Sequence, residues 1–223
     1  PLAGPVVAAA VMIIPEHLFL KKIDARFSAK IFNKDFGIRD SKKLSEKKRE
    51  EFYKILTNHT QIKWGIGIVS EKIIDKINIL EATKLAMEIS IKNLKENIKS
   101  KKYHKSNNRQ IYGAFWNIDF LILDGNFKID LNILQKSIIK GDEKVFSCTA
   151  AGIIAKVTRD SIMKKMHEKY PCYGFNKHKG YPTLMHFKNL KNFGPCGIHR
   201  KTFYPLRAQD SNYHQVEKLK NEI

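Results

Sequence analysis

The sequence predicts an α/β protein. Three observations lead there: apolar runs of strand length stop at Pro, Gly or an acid, segments of helical period lie between them, and no internal repeat breaks the alternation. The first run, VVAAAVMII over 6–14, is uninterrupted and closed by Pro15, the pattern of a strand covered on both faces of its sheet. SEKKREEFYKIL over 45–56 opens on Ser45, an N-cap residue type followed by an acid, and brings Phe52, Ile55 and Leu56 to one side, which predicts a surface helix. KWGIGIVS over 63–70 reads as a second strand whose Gly65 and Gly67 permit close approach on one face. NILEATKLAMEISIKNL over 78–94 begins on Asn78 with Glu81 three positions on, a capping-box variant, and repeats Leu80, Met87, Ile91 and Leu94 along a long, well-packed helix. The next stretch, 95–110, is basic and aperiodic and reads as an exposed, mobile insertion. FLILD over 120–124 supplies the third strand. FSCTAAGIIAKVTRDSIMKKMHEKY over 146–170 predicts a helix whose Ala150, Ala151, Gly152 and Ala155 let it approach a sheet closely.

A length of 223 residues suits one domain and buries a sizeable core without metals or disulfides. The expected organisation is a catalytic domain over 1–205 and a polar tail over 206–223. Lys and Arg number 41 against 22 Asp and Glu, a formal charge of +19, which favours a polyanionic partner through phosphate neutralisation and counterion release. Part of that excess is the solvated surface of a chain rich in Lys, Asn and Ile throughout. Cys148, Cys172 and Cys196 lack the close pairs of a zinc site or a disulfide framework and fit a reducing compartment. No apolar run approaches the ~20 residues that cross a bilayer, and the opening lacks a basic leader. The expectation is a cytoplasmic monomer.

Two acids stand out. Asp124 ends the FLILD strand and is followed at once by Gly125, and in open α/β sheets ligands gather beyond the carboxyl ends of strands. The competing reading is a plain Asp-Gly turn. Asp142, in IIKGDEKVFS, again follows an apolar pair and a Gly and precedes the Ala-rich helix, where an acid at a helix start is the competing reading. Two carboxylates at the ends of apolar elements suit a hard, oxygen-preferring Mg²⁺ or Mn²⁺, and a basic surface suggests that substrate phosphates share the metal. They are few for a paired-metal clamp, so further acids are expected elsewhere.

The ordered segments GPVVAAAV, DSKKLS (40–45), LDGN (123–126), KGD (140–142), AAGIIAKVTRD (150–160), YGFNKHKGYPT (173–183) and HRKTFYP (199–205) closely resemble bacterial ribonuclease HII across nearly the whole chain. The resemblance implies an RNase H-like mixed sheet flanked by helices. It also implies Mg²⁺- or Mn²⁺-dependent endonucleolytic cutting of the RNA strand of RNA/DNA hybrids, and nicking 5' of a single ribonucleotide in duplex DNA. Carried over by position, Asp124 and Asp142 match the family's third and fourth active-site carboxylates. Tyr181 matches the tyrosine that stacks on the sugar at the RNA to DNA junction, against the alternative of a buried loop tyrosine. Lys43, Lys156 and Lys179 are expected backbone contacts to phosphate. His178 and His199 read as phosphate donors or as satisfied packing residues. Arg159 and Asp160 are expected to pair on their helix, and Trp64 and Trp116 to be core or half-buried platforms.

The family pattern also holds an Asp-Glu pair on its first, central strand and a Gly-Arg-Gly loop, immediately before PLAGP. This chain begins at PLAGP, and Glu16, Asp24 and Asp35 lie too far into other segments to replace that pair. The expectations are that this central strand is missing, that its neighbours lose backbone partners, and that the polypeptide is nearly inactive for want of two metal ligands. Gly152 stands where the family usually has Ser. The alternative to the enzyme is a noncatalytic remnant that only binds nucleic acid, which would bind regardless of Asp124; a basic structural protein would show no preference for hybrid.

Overall fold

In the computed structural model the described residues are 1–14, 44–100 and 117–207. Expectations for Pro15, Glu16, Asp24, Asp35, Lys43, Trp116, the stretch 101–110 and the tail beyond 207 fall outside them. The described elements run β1 (Val6–Ile13), α1 (Glu46–Asn58), β2 (Ile62–Val69), α2 (Glu71–Ser100), β3 (Phe120–Asp124), β4 (Leu134–Ile138), α3 (Gly141–Lys144), α4 (Phe146–Lys169), α5 (Phe175–His178) and α6 (Leu184–Phe193). The fold is α/β, with the strands arranged as two sheets, β1 with β2 and β3 with β4. The second is parallel, in a register that sets Phe120 opposite Leu134 and Asp124 opposite Ile138.

Local chemistry explains most of the boundaries. Ser45 caps α1 as expected, its hydroxyl accepting from the Lys48 N–H at 3.3 Å. Asn78 caps a helix too, its Oδ1 accepting from Leu80 N and Glu81 N at 2.9 and 3.1 Å. A helical segment already runs from Glu71, and Asn78, at φ 66°, is a kink inside α2. Leu80, expected on the packed face, is 47% exposed; Ile91 and Leu94 are buried as their spacing predicts. The insertion reading of 95–110 needs correcting at its start, because α2 continues through Ser100. A reason is visible one helical turn apart: Asn93 and Asn97 donate their side-chain amides to the Ile66 and Trp64 carbonyls of β2, at 2.7 and 3.1 Å.

The described residues of the chain divide into two compact units, one from Ala8–Gly67 and Lys84–Val157, the other from Pro1–Val7, Ile68–Thr83 and the residues after Val157. In the former, β1 is covered on both faces. Ala9 and Val11 pack with Leu56, Ile62, Ala150, Ile153 and Ile154, while Ala10 joins Ile91, Leu123 and Ile129. Of the small residues of α4, Ala150 is fully buried in this cluster. Trp64 is half-buried there, donating its indole N–H to the Thr57 carbonyl at 3.3 Å.

Gly65 and Gly67 carry the close approach of α2. A Cβ on Gly67 would lie 1.8 Å from the Ala86 carbonyl oxygen, and one on Gly65 would lie 2.3 Å from both Leu94 N and Ser90 O. Those are backbone atoms and cannot swing away. Gly67→Ala is therefore expected to cost about 3 kcal/mol of stability, read as a lower urea midpoint with an unchanged slope.

In the other unit Leu2, Ala3, Met163, Tyr173, Phe175, Leu190 and Leu206 form the core. Two buried arginines hold the backbone of residues 3–5. Arg159, expected to pair with Asp160, sends its guanidinium hydrogen bonds elsewhere: Nε to Pro5 O, Nη2 to Ala3 O and Nη1 to Lys179 O, at 3.0, 3.0 and 3.1 Å. Arg200 donates Nε to Gly4 O at 3.0 Å and Nη2 to Pro5 O at 3.3 Å. Burial, then the like charge of Arg159, pulls the Arg200 pKa down to about 10. The turn after Arg200 is fixed by Asp75, whose carboxylate accepts from Lys201 N, Thr202 N and the Thr202 hydroxyl at 3.0, 3.1 and 2.8 Å.

Candidate active site

Parallel pairing with β4 carries β3 to its end at Asp124, and the ladder continues one residue further as Gly125 N donates to Ile138 O at 3.1 Å. Lys140, in a left-handed conformation at φ 56°, turns the chain back toward that end. Gly141 then donates its N–H to Asp124 Oδ1 at 2.8 Å. Only a residue without a side chain comes this near comfortably: a Cβ on Gly141 would stand 3.3 Å from Asp124 Cα. The next residue is Asp142, 4% exposed, whose backbone carbonyl accepts from the Thr149 hydroxyl at 2.6 Å and so ties α3 to the first turn of α4.

Asp124, exposed, is thus hydrogen-bonded to the residue that directly precedes the buried Asp142. Cys148 registers both. Burial pushes its thiol up to about 11, and the negative charges of Asp124 and Asp142 add to the shift. Its Sγ lies 3.9 Å from the Ile122 carbonyl, beneath the same strand end. The donor set is hard oxygen, which fits Mg²⁺ or Mn²⁺ and not a thiol- or imidazole-seeking ion. Among the described residues no cluster of three or more His, Cys, Asp or Glu is placed to hold a metal.

The HKGY segment lies in the other unit. Lys179 and Gly180 are both left-handed, at φ 51° and 82°, and a Cβ on Gly180 would fall 2.6 Å from the Ala3 carbonyl. Two such residues in succession turn the chain and bring Tyr181 outward, 41% exposed. Arg159 sits over its ring at 5.4 Å from the centroid. Lys179 is buried, with its ammonium donating to the Asn176 carbonyl. His178 is buried with both ring nitrogens engaged by backbone: Nε2 with Tyr173 O at 2.7 Å and Nδ1 with Gly180 N at 3.2 Å. Burial lowers its pKa. His199 is buried as well, 2.9 Å from the Cys196 N–H and 3.0 Å from His186. Lys156 is half-buried on α4.

Sequence reasoning missed His186, Arg200 and Cys148. The only local signal among them is Thr183, a capping residue type whose hydroxyl accepts from His186 N at 3.2 Å and starts α6.

The fold is similar to that of a solved structure, the ribonuclease H2 of Pyrococcus horikoshii OT3. The TM-score is 0.59 at 22% identity, over 96% of this chain and 93% of that one. The family model for ribonuclease HII matches residues 1–205. Ribonuclease HII of Acetivibrio thermocellus is 45% identical over 203 residues, 91% of this chain and 65% of that protein. The enzyme of Chlamydia muridarum is 43% identical over 207 residues, covering 93% of this chain and 78% of that protein. The chain belongs to the ribonuclease HII family.

Proposed function

We propose that this chain is the catalytic part of a divalent-metal-dependent ribonuclease that cleaves the RNA strand of RNA/DNA hybrids and nicks 5' of single ribonucleotides in duplex DNA. The observation that carries the reading is the hydrogen bond from Gly141 to Asp124 Oδ1, which sets the exposed carboxylate at the strand end beside the residue that precedes Asp142. Asp124 and Asp142 would hold Mg²⁺ or Mn²⁺, in the paired-metal arrangement the family resemblance implies. Bound there, the metal would polarise the scissile phosphate and generate the attacking hydroxide. The protein's own part is to hold the Asp124 carboxylate against the Gly141 amide beside Asp142, and to supply positive charge for the phosphate backbone. Lys43, Lys156 and Lys179 are the proposed contacts of that kind, and His178 a proposed neighbour of the substrate. Tyr181, exposed and backed by a guanidinium, offers its ring to the sugar beside the 2'-hydroxyl. The protein is proposed to work as a monomer in the cytoplasm.

Two carboxylates are a thin ligand set. Residues 1–223 alone are therefore proposed to cleave poorly, and a chain that also carries the family's Asp-Glu pair and Gly-Arg-Gly loop to cleave well. Both proteins are incubated with Mn²⁺ and with a duplex containing one ribonucleotide. A single nick 5' of that ribonucleotide, abolished by chelation, is the expected product of the longer chain. An intact duplex from the longer chain overturns the enzyme reading and leaves a binding protein, whose affinity would follow the +19 charge and fall steeply with salt.

A further inference from the structure

Behind Tyr181 lies a chain of two imidazoles that the proposed reaction does not use. The Tyr181 carbonyl accepts from His186 Nδ1 at 2.9 Å; His186 Nε2 and His199 Nε2 are 3.0 Å apart; and His199 Nδ1 faces the Cys196 N–H at 2.9 Å. The backbone groups at the two ends have fixed roles, since a carbonyl only accepts and an amide N–H only donates. Starting from Tyr181, His186 carries its proton on Nδ1, so its Nε2 accepts and His199 Nε2 donates. Starting from Cys196, His199 Nδ1 accepts, so its proton sits on Nε2. Both ends demand the same arrangement, and it is the one neutral arrangement that satisfies every group.

Two further groups face His199 Nδ1. Cys196 Sγ lies 3.1 Å away, and burial raises its pKa, so the thiol keeps an S–H that can donate to Nδ1 in the same arrangement. The Cys196 carbonyl lies 3.3 Å from His199 Nδ1 but already accepts from His199 N at 3.0 Å. The rings have little room to turn. His186 is fully buried, His199 is 2% exposed, His178 stacks on His186 at 4.4 Å between centroids, and Tyr173 and Phe175 close the pocket around His199. The load on this chain is the Tyr181 backbone, whose N–H donates to His178 O at 2.8 Å and whose carbonyl also accepts from Thr183 N at 2.9 Å.

We propose that His186 and His199 are positioning residues for Tyr181: an ordered, one-directional pair of imidazoles fixes the Tyr181 carbonyl and thereby the presentation of its exposed ring to the sugar of a ribonucleotide-containing duplex. This rests on the reading of Tyr181 given under Proposed function. The pair touches no substrate. Its effect is on how sharply the protein tells a duplex with one ribonucleotide from an all-DNA duplex, and phosphate neutralisation is left alone.

The test uses binding and not cleavage. Fluorescence anisotropy of residues 1–223 in EDTA gives affinities for the two duplexes, and the readout is their ratio. Loss of an aromatic stacking contact is a change of ~10-fold, so Tyr181→Ala is expected to lower the ratio by about that factor. His199→Leu is expected to lower it by ~5-fold through the same contact. His199→Gln, whose amide places an N–H donor near the position of Nε2, should return it to within ~2-fold of the unaltered protein. In a Tyr181→Ala background, His199→Leu should have no further effect. Ring-nitrogen magnetic resonance of the unaltered protein should report Nδ1–H at His186 and Nε2–H at His199. A ratio insensitive to Tyr181→Ala removes the reading of Tyr181 and this proposal with it. A ratio that falls for Tyr181→Ala but not for His199→Leu, additive effects of the two, no rescue by Gln, or the opposite tautomers would each overturn the positioning role while the reading of Tyr181 stands.

Discussion

Asp124→Asn and Asp142→Asn are each expected to lower Mn²⁺-dependent cleavage by the longer chain about 1,000-fold, the scale on which loss of transition-state charge stabilisation acts. In residues 1–223 the same changes should weaken Mn²⁺ binding in calorimetry, a readout that needs no turnover. Asp124→Asn separates chemistry from architecture. The amide keeps an Oδ1 that can accept from Gly141 N, so the 2.8 Å hydrogen bond that shapes the strand end can persist while the charge is lost. Its unfolding midpoint should stay close to that of the unaltered protein. Cys148 supplies an internal check, because its thiol is held at about 11 by burial and in part by these carboxylates. Removing either charge should lower the pH at which that thiol ionises, seen as a difference in ultraviolet thiolate absorbance. Full cleavage by Asp124→Asn would mean that this strand end is not the metal site.

The candidate site could be proposed from the sequence because its residues are local. An apolar run that ends on Asp124, and a second acid after Gly141, are visible to anyone reading along the chain, and the glycine that donates to Asp124 sits next to Asp142. The strands β1, β2 and β3 were legible for a similar reason, since each is an apolar run with a clear stop. β4 was not. Its sequence, LQKSI, has three polar residues in a row, of which Gln135 and Ser137 are spent on the connection from β3. Gln135 accepts from Ile129 N at 3.0 Å and donates to the Ile129 and Leu131 carbonyls at 2.9 Å, and the Ser137 hydroxyl donates to Phe127 O. A strand that satisfies a loop in this way carries little of the apolar signature by which buried strands are found.

The arginine network was illegible for a different reason, because every carbonyl it answers to is remote in sequence, and in the histidine chain the link from His186 to His199 spans 13 residues. Arg159 answers to carbonyls at residues 3, 5 and 179, and Arg200 to those at 4 and 5. Sequence alone reports only near neighbours, so Arg159 beside Asp160 read as a pair. Asn97 misled in the same direction. Among lysines and asparagines it marks an exposed insertion, and only the carbonyl of Trp64 on β2 explains why the helix continues past it.

The buried histidines also set a stability limit on the acid side. His186 and His199 are held down to about 4, in both cases chiefly by burial and with a neighbouring histidine pushing the same way. No acid contributes to stabilising either charged ring. In the unfolded chain both would titrate near the ordinary value of about 6.5. Above that value neither state binds the protons and the rings have no effect on the pH dependence of folding. As the pH falls through 6.5 the unfolded chain takes up protons that the folded chain refuses, so stability drops, and it continues to drop until the folded rings protonate near 4. Between pH 6.5 and 5 the loss is on the order of 2 kcal/mol per ring, enough for the pair to remove a large part of a typical domain's stability. The window is diagnostic because exposed carboxylates remain ionised in both states across most of it. Urea titrations at pH 7.5, 6 and 5 should give steadily lower midpoints, and the His186 and His199 ring protons should show no titration shift in the folded protein over that range. A midpoint independent of pH, or rings that titrate near 6.5 while the protein stays folded, would mean that the imidazole pair is open to water.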